Sequence, residues 1–459
     1  MKKKTVFICN NCNYETIGYM GKCPECNSWN TLEETTVSVN RNKKGNIANL
    51  FDKKAVTKLE DVESTNSDRI VTTINEFNRV MGGGIVKDSV SILSAKPGAG
   101  KSTLLLQVAN NLSNIGYVVL YASGEESETQ IKSRADRILE DIDKNLWVVS
   151  DNSLDNILEN IDEIDPDFII VDSIQTFTLA KFSNSRAGSP TQTMECAHEL
   201  VKIAKNSKKP RSIFIVGQMT KADELAGVRA LEHLVDTVLI IEGESGEELR
   251  TLLASKNRYG STGEMGFFNM TEDGMVSIDN PSEYFMTERE QEDLISGNAI
   301  TVVREGTRPI ILEIESLVSD SFTPYPSRIG ECLRREQLNT LVSILEQRGS
   351  IRLYDQNVVI KTTGGIQLTE QASNLAVLMS IASSVYNVGI PSDIVFIADV
   401  GLTGELKRVP SLEARLREVD RMGFRKAFIP PNSLRKNLDM GLQIEECKTL
   451  KDVINRYFL

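Results

Sequence analysis

Short apolar runs alternate with amphipathic stretches from Ile70 to about Ile278. The runs are five to seven residues long and read SVSIL, YVVLYAS, LWVVS, DFIIVDS, SIFIVG and TVLIIE. Runs of this length are typical of buried strands, and the stretches between them have room for helices. Because strands that alternate with helices usually form a parallel sheet covered on both faces, this region predicts an α/β fold.

A second α/β region begins near Gly297. Its apolar runs are AITVV, PIILEIESLV, DIVFIADVG and KAFIP, and a long helix is predicted around residues 369–384. Nearer the start of the chain, a polar segment without a sustained apolar period is typical of a linker. The predicted divisions are residues 1–30 (a cysteine module), 31–67 (the linker), 68–280 (the first α/β domain) and 281–459 (the second).

The chain has 459 residues, of which 40% are hydrophobic and 25% charged. This length suits two or three domains, and this composition suits a globular protein. No apolar run approaches the roughly 18–20 residues that span a bilayer, and the opening MKKK is followed by only a few apolar residues. We therefore expect a cytoplasmic protein with no signal peptide, no membrane anchor and no membrane partner.

The formal net charge of −12 is unevenly distributed. The first 58 residues hold ten Lys and Arg against five Asp and Glu, so this segment carries +5 and the other 401 residues carry −17. Phosphate binding depends on local fields, which salt screens over about 8–10 Å. The acidic total therefore excludes neither a basic channel nor binding to nucleic acid.

Four of the seven cysteines lie in two Cys-x-x-Cys pairs, Cys9 with Cys12 and Cys23 with Cys26. Two such turns present four thiolates, which suit a closed tetrahedral site for a structural Zn²⁺ ion. Two unrelated thiol pairs, or a redox pair, are the alternatives. Because a closed site leaves no position for chemistry, we expect the module to bind a partner or nucleic acid. The scattered cysteines are expected to be ordinary core or surface thiols: Cys196, Cys332 and Cys447.

The segment SVSILSAKPGAGKSTLLLQVANNL joins a buried strand to a helix through a glycine-containing loop. This context is typical of a P-loop, where backbone N–H groups contact phosphates, Lys101 reaches the β and γ oxygens, and Ser102 or Thr103 holds Mg²⁺. The first position of the Gly-x4-Gly-Lys-Ser pattern is Ala95, whose small side chain still permits the turn. The predicted ATP-binding residues are Ala95, Lys96, Pro97, Gly98, Ala99, Gly100, Lys101, Ser102 and Thr103.

Phosphoryl transfer also needs carboxylates near the metal ion and near the attacking water. Asp172 ends an apolar strand and is predicted to lie on the Mg²⁺ side of the site. Glu125 follows another strand end in YVVLYASGEES, and we predict that it is the general base. The alternative is that Glu125 and Glu126 only favour a helix start, for which a Gly-Glu-Glu-Ser run is also suitable.

Together these motifs resemble the bacterial RadA (Sms) family of DNA repair and recombination proteins. The resemblance covers nearly the whole chain and rests on the cysteine pairs, GKST, SGEES, IIVDSIQT and the KNRYG segment at residues 256–260. It implies a RecA-like P-loop NTPase core, a small N-terminal four-cysteine zinc module and a C-terminal α/β domain similar to that of Lon proteases. The family motif reads Lys-Asn-Arg-Phe-Gly, so Tyr259 is a departure that keeps an aromatic ring.

The RYGSTG segment is also similar to one in hexameric DnaB-type helicases, whose Lys and Arg reach across the subunit interface. By that similarity, Lys256 and Arg258 act on the γ-phosphate bound by a neighbouring subunit. A solvated basic turn is the alternative. Residues supplied by a neighbour require an oligomer, and a closing head-to-tail interface gives a ring. We expect a homohexamer, with seven subunits left open.

A second departure is Gln218, where the family usually has histidine. RecA and DnaB-like motors use glutamine at a strand end to sense the γ-phosphate, so sensing is expected in a different chemical form. The loop after Gln218, and FTLAKFSNSRAGSP after Asp172, are expected to face a ring channel and contact the DNA backbone. Their candidate DNA-binding cations, each of which has a solvated side chain as its alternative, are Lys181, Arg186, Lys221 and Arg229.

The resemblance to Lon proteases places Ser373 at the nucleophile and Glu413 where Lon has its lysine. A Ser-Lys pair works only if the amine can accept the hydroxyl proton. Glu413 brings no equivalent base, so we expect a non-proteolytic scaffold that holds the ring and contacts duplex DNA.

The resemblance implies a DNA-dependent ATPase and ring-shaped helicase that responds to DNA damage as part of a stress response. It would act in recombinational repair by promoting branch migration on single-stranded and branched DNA, and its zinc module would bind a recombinase or another repair protein. Two alternatives stay open. One is an ATP-dependent Lon-like protease, which Glu413 disfavours, and the other is a non-motor ATP switch that binds a recombinase.

Overall fold

The computed structural model divides the chain into two compact units, residues 1–65 and 66–459. The structure describes residues 3–9, 15–16, 21–22, 32–38, 58, 69–206, 209–218, 231–243, 246–287, 294–434 and 440–458.

In the first unit, strand β1 (Lys3–Cys9) pairs antiparallel with both β2 (Glu15–Thr16) and β3 (Leu32–Ser38). Strand β3 lies in the stretch predicted as a linker. Its threonines and valine favour extended backbone, and backbone pairing with β1 needs no apolar period. The zinc prediction lies largely outside the described residues, which include the backbone of Cys9 but not the other three cysteines.

In the second unit, a nine-stranded sheet has the order β14-β13-β12-β11-β6-β10-β9-β7-β8. Strands β11, β6, β10, β9, β7 and β8 are parallel, and β12 to β14 add an antiparallel edge. A separate short pair consists of β4 (Arg69–Ile70) and β5 (Ile85–Val86). The strands of the large sheet are β6 (Val90–Ala95), β7 (Val119–Ser123), β8 (Leu146–Ser150), β9 (Phe168–Asp172), β10 (Ser212–Gln218), β11 (Thr237–Glu242), β12 (Leu249–Asn257), β13 (Met265–Thr271) and β14 (Gly274–Ser277). The predicted α/β fold with a largely parallel sheet is confirmed.

Helices cover both faces of this sheet, and two apolar cores result, one on each face. The helices are α1 (Asn75–Val80), α2 (Lys101–Asn114), α3 (Glu128–Ile138), α4 (Leu154–Ile164) and α5 (Pro190–Ala204). The prediction that every apolar run is a buried strand is wrong for β8, where Trp147 is 50% exposed. Strand β8 is the last in the sheet, and an edge strand is less covered than a central one.

The C-terminal region forms a seven-stranded mixed sheet in the order β17-β18-β16-β15-β19-β22-β23. Strands β20 (Asp399–Val400) and β21 (Leu406–Lys407) form a separate pair. The strands of the large sheet are β15 (Asn298–Glu305), β16 (Arg308–Asp320), β17 (Arg328–Gly330), β18 (Gln356–Thr362), β19 (Ile394–Phe396), β22 (Lys426–Ile429) and β23 (Gln443–Glu446).

The helices of this region are α6 (Pro281–Tyr284), α7 (Arg335–Gly349), α8 (Asn374–Tyr386), α9 (Leu412–Arg421) and α10 (Leu450–Phe458). Helix α8 begins five residues later than the predicted start at 369. Glu370 has extended backbone and its side chain pairs with Arg415, and a 3-10 turn over Gln371–Ser373 precedes the helix. A tertiary ion pair therefore sets this boundary more than helix propensity does.

The two α/β regions share a core within the second unit. The ring centroids of Phe267 in β13 and Phe285 beside α6 are 5.6 Å apart, and both side chains belong to the same apolar cluster. Arg308 forms an ion pair with the buried Glu76 at 2.8 Å. Gly306 has φ +63°, and a Cβ there would lie 2.5 Å from the carbonyl oxygen of Gly263. The β15–β16 hairpin thus packs against the β12–β13 turn.

Candidate nucleotide-binding site

The predicted P-loop lies between the carboxyl end of β6 and the start of α2, as the sequence indicated. Gly100 immediately precedes the helix with φ +102°, which is unfavourable for any other residue. A Cβ at this position would also lie 2.5 Å from Cε of Met270 and 2.9 Å from Sδ of Met275. The backbone conformation and the close contacts therefore both favour glycine at position 100.

Lys101 is held over the loop by its own backbone. Its Nζ donates to the carbonyl oxygen of Ala95 at 3.0 Å and to that of Lys96 at 3.4 Å. Burial lowers the pKa of Lys101, and the negative charges of Asp172 and Glu125 oppose this shift. A phosphate group would supply the full counter-charge that these neutral carbonyls do not.

Asp172 ends β9 beside the P-loop and is 9% exposed. One of its oxygens, Oδ2, accepts hydrogen bonds from Ser102 Oγ and from the Tyr121 hydroxyl, each at 2.6 Å. Burial and the adjacent carboxylate raise the pKa of Tyr121 well above its ordinary value, so the phenol keeps its proton and donates. A serine hydroxyl in contact with a carboxylate is a donor set that fits Mg²⁺. Tyr121 is a site residue that the sequence reasoning missed.

Glu125 and Gln218 are brought together from the ends of two different strands. Gln218 Nε2 lies 3.0 Å from Oε1 and 3.3 Å from Oε2 of Glu125. The Ser173 hydroxyl also donates to Oε1 of Glu125. Glu125 is therefore held by two neutral donors close to Asp172, where a general base would need to be.

Glu126 has a different environment from Glu125. Its carboxylate forms an ion pair with Arg134 of α3. The residue that caps α3 is Ser127, which forms a reciprocal capping box with Gln130. Neither carboxylate therefore caps the helix through a hydrogen bond.

A cavity of about 540 Å³ lies beside the first turn of α2. It is lined by Thr103, by Arg137 and Ile138 at the end of α3, and by the β13–β14 hairpin at residues 270–274. Its size is suitable for a nucleoside, and it adjoins the P-loop at Thr103.

Lys256 and Arg258 lie at the other end of the same sheet. Asn257, between them in the sequence, pairs with Thr237 of β11, and Thr237 in turn pairs with Ser91 of β6. The P-loop follows Ala95, which lies four residues after Ser91 in β6. Four residues of strand correspond to about 13 Å. We call the end with the P-loop the P-loop edge and the end with Lys256 and Arg258 the opposite edge.

Both cations of the opposite edge have partners in their own chain. Lys256 Nζ donates to the carbonyl oxygens of Glu232 and Val235, the latter at 2.8 Å. Burial, and then the positive charge of Arg258, lowers the pKa of Lys256. Arg258 Nη1 donates to Asp236 Oδ1 at 3.0 Å. In a simple solvated basic turn, both cations would contact only water, whereas here each one contacts groups of its own chain.

The loop after Asp172 contains two exposed candidate cations, Lys181 and Arg186. Lys181 Nζ lies 5.4 Å from the ring centroid of Phe182. The buried Gln192 accepts from the backbone N–H of Leu179 and donates to backbone carbonyl oxygens, including that of Phe182 at 2.9 Å. The loop therefore has a defined internal scaffold. The other two candidate cations, Lys221 and Arg229, lie outside the described residues.

The position compared with the Lon nucleophile is fully buried. Ser373 is 0% exposed, and its Oγ donates to the carbonyl oxygen of Glu370 at 3.0 Å. The Glu370 carboxylate accepts two hydrogen bonds from the buried Arg415, at 2.7 and 2.6 Å. Glu413 lies in the first turn of α9. An Arg–Glu pair cannot accept the serine proton in the way that a neutral lysine can.

The three scattered cysteines are buried, which confirms them as core thiols. Burial raises the pKa of Cys196 and Cys332 to about 12 and that of Cys447 to about 11, so these thiols are unreactive. Within the described part of the chain, no cluster of three or more His, Cys, Asp and Glu residues is suited to a metal ion. No helix in that part has both the length and the apolar character needed to cross a membrane.

Two family models match this chain. One, described as an AAA domain, matches residues 56–208, and the other, described as a rubredoxin metal binding domain of zinc-ribbon type, matches residues 7–34. The first implies ATP hydrolysis with bound nucleotide and Mg²⁺. The second spans both cysteine pairs and implies zinc. With the mixed α/β sheets, these matches confirm the predicted fold class.

Curated relatives named DNA repair protein RadA match nearly the whole chain. The protein from Bacillus subtilis (strain 168) is 42% identical over 435 residues, which cover 94% of each chain. The protein from Streptococcus pyogenes serotype M1 is 40% identical over 458 residues, covering 100% of this chain and 99% of its own. Among solved structures, the RadB recombinase aligns with 46% of this chain and 99% of its own, at 17% identity and a TM-score of 0.36. On the sequence similarity to these curated relatives, the chain belongs to the RadA family of DNA repair proteins.

Proposed function

We propose that this chain is a DNA-dependent ATPase and a ring-shaped DNA motor in recombinational repair, where it promotes branch migration. ATP is its fuel, and single-stranded and branched DNA are its substrates. The curated relatives named for DNA repair support the biological setting, and the AAA-domain match supports the fuel.

The observation that carries this proposal is the separation of Arg258 from the P-loop. Asp172, Glu125 and Gln218 adjoin the P-loop at one edge of the sheet, while Lys256 and Arg258 lie at the opposite edge. The two cations cannot act on a nucleotide bound by their own chain. The ATP on which they act is therefore bound by a neighbouring subunit. Repeating this head-to-tail contact between subunits gives a closed ring such as a homohexamer.

At the P-loop edge, each residue has a chemical role in the proposal. Lys101 binds the β and γ oxygens, and Ser102 and Asp172 hold Mg²⁺, which when bound neutralises charge on those oxygens. Glu125 accepts the proton of the attacking water. Gln218, which contacts Glu125, reports the state of the γ-phosphate to the loop that follows it. The cavity beside Thr103 holds the nucleoside.

At the opposite edge, Lys256 and Arg258 stabilise the charge that develops on the neighbour's γ-phosphate. The loop cations Lys181 and Arg186 contact the DNA backbone, and we assign the same role to Lys221 and Arg229. Every subunit of a ring contributes the same few cations to the central channel. The channel can therefore be basic although the chain as a whole is acidic.

The other regions have supporting roles. The C-terminal domain is a non-proteolytic scaffold for the ring, which the buried Ser373 and the Glu370–Arg415 pair support. The zinc module, with Zn²⁺ bound by Cys9, Cys12, Cys23 and Cys26, binds a recombinase or another repair protein.

The test compares wild type with Lys101→Ala in two assays, DNA-stimulated ATP hydrolysis and branch migration of a synthetic four-strand junction. We expect wild type to be active in both and the variant in neither. ATP hydrolysis stimulated by DNA without any strand movement would refute the motor and leave an ATP switch. ATP-dependent peptide cleavage that disappears in Ser373→Ala would instead support a protease.

A further inference from the structure

Asp236 stands directly before β11, at the opposite edge of the sheet. Its Oδ2 accepts from the backbone N–H of Val90 at 3.0 Å, and its own N–H donates to the Val90 carbonyl oxygen at 2.8 Å. Val90 begins β6, the strand that ends at the P-loop. These two hydrogen bonds therefore fix the position of Asp236 relative to β6.

The other oxygen of Asp236 contacts cations. Oδ1 accepts from Arg258 Nη1 at 3.0 Å and from Lys205 Nζ at 3.3 Å. The backbone N–H of Arg258 also donates to the Asp236 carbonyl oxygen at 3.1 Å. Asp236 is 1% exposed, whereas half of the Arg258 side chain is exposed. The buried Asp236 carboxylate thus holds Nη1 of the Arg258 guanidinium, and the rest of that group faces solvent.

This arrangement leaves part of Arg258 available. Arg258 donates hydrogen bonds through Nη1 and through its backbone N–H. Its Nη2 and Nε have no hydrogen-bond partner among the described residues. An unrestrained arginine loses rotamer entropy when it is ordered. A guanidinium that is already held through one nitrogen has lost much of this entropy before it binds a phosphate.

We infer that Asp236 is a positioning residue that orients Arg258 toward the nucleotide of a neighbouring subunit. The inference rests on the proposed function, since it assumes that Arg258 acts in trans. Lys256 is oriented by the same short segment, through the carbonyl oxygens of Glu232 and Val235. Residues 232–236 thereby present both cations.

Asp236→Asn separates the two roles of this carboxylate. The amide oxygen can still accept from Val90, so the sheet keeps its hydrogen bond, but the amide NH₂ then faces Arg258 and cannot accept from it. The matched control is Lys205→Met, which removes the other cation from the same oxygen and leaves Arg258 in place. Thermal melting of both variants, compared with Asp236→Ala, reports any loss of folding.

The readout is ATP binding and DNA-stimulated hydrolysis, measured separately. We expect Asp236→Asn to lower kcat at least about tenfold while the Kd for ATP stays within about twofold, because its own P-loop is intact. Lys205→Met should stay within about twofold of wild type in both quantities.

Subunit mixing then distinguishes positioning from a structural role. Lys101→Ala subunits bind no ATP but carry intact cations. Mixing them in equal amounts with Asp236→Asn subunits should therefore restore hydrolysis to about a quarter of wild type, because one site in four of a random ring joins an intact P-loop to intact cations. An Asp236→Asn variant as active as wild type would overturn the inference and leave the proposed function standing if Arg258→Ala is inactive. No restoration with Asp236→Asn, while Arg258→Ala is restored by the same partner, would also overturn it. If neither variant is restored, the trans role of Arg258 fails, and the inference fails with it.

Discussion

At the P-loop edge of the nine-stranded sheet, carboxylates are held by neutral donors, whereas at the opposite edge two cations are held by carbonyl oxygens and one buried carboxylate. Glu125 contacts Ser173 and Gln218, and Asp172 contacts Ser102 and Tyr121. None of these donors is a cation, and carboxylate oxygens placed in this way suit a metal ion and a proton acceptor. The opposite edge has an exposed positive group, which suits a phosphate.

Lys101→Ala tests the P-loop edge most severely. Removing the ammonium group leaves the β and γ oxygens without their main protein counter-charge, so hydrolysis should fall to background, at least about a thousandfold. Malachite-green phosphate release with and without DNA measures this. Retained DNA-stimulated hydrolysis would refute the P-loop assignment. An unchanged zinc content of about one ion per chain shows that the N-terminal module is intact.

Arg258→Ala tests the opposite edge. We expect hydrolysis to fall by about a thousandfold because the charge at the transition state is unopposed. Binding of a fluorescent ATP analogue should change by less than about threefold, since Arg258 is remote from its own P-loop. Equal losses of binding and hydrolysis would contradict a role confined to the transition state.

Tyr121→Phe examines one donor at the P-loop edge. Loss of the hydroxyl leaves Asp172 with Ser102 alone, and a hydrogen bond to a charged group contributes about 1.5–3 kcal/mol. We expect kcat to fall about tenfold and the Mg²⁺ concentration for half-maximal activity to change. The melting temperature shows whether the variant is folded. An unchanged Mg²⁺ dependence would mean that Tyr121 serves only packing.

Glu305→Gln should have the smallest effect on hydrolysis and acts on stability instead. Burial, and then the nearby Glu370, raises the pKa of Glu305 from 4.5 to about 7. The folded chain therefore binds this proton more tightly than the unfolded chain, and stability is lost as the pH rises from about 4.5 through 7. Glutamine should raise the free energy of unfolding by up to about 3 kcal/mol at pH 8 and by less than about 1 kcal/mol at pH 5. Urea unfolding at both pH values checks this, and an equal gain at both would contradict the shifted pKa.

The P-loop edge was largely predictable because its chemistry is local in sequence. A strand, a glycine-containing loop and a helix are contiguous, and Asp172 and Glu125 each follow an apolar run. Carboxyl ends of parallel strands meet at one edge, so these residues had to converge. Tyr121 was missed, although a tyrosine within a buried apolar strand signals a hydroxyl in need of a partner.

The opposite edge was less predictable because its contacts are not local. Asp236 touches Val90, 146 residues away in sequence, and Arg258, 22 residues away. Antiparallel pairing of β11 with β12 creates the second contact, and no local pattern specifies that register. The late start of α8 has a similar origin, since Glu370 pairs with Arg415 across 45 residues. The exposure of β8 likewise depends on its place at the end of the sheet.

The central claim is that each ATP site is completed by the opposite edge of a neighbouring subunit. Its most direct test is DNA-stimulated hydrolysis of Lys101→Ala protein mixed in equal amounts with Arg258→Ala protein, each of which is expected to be inactive alone. We expect hydrolysis to return to about a quarter of the wild-type rate, because one site in four of a randomly mixed ring joins an intact P-loop to an intact Arg258 of the neighbouring subunit. A mixture that stays as inactive as either variant alone would contradict the claim.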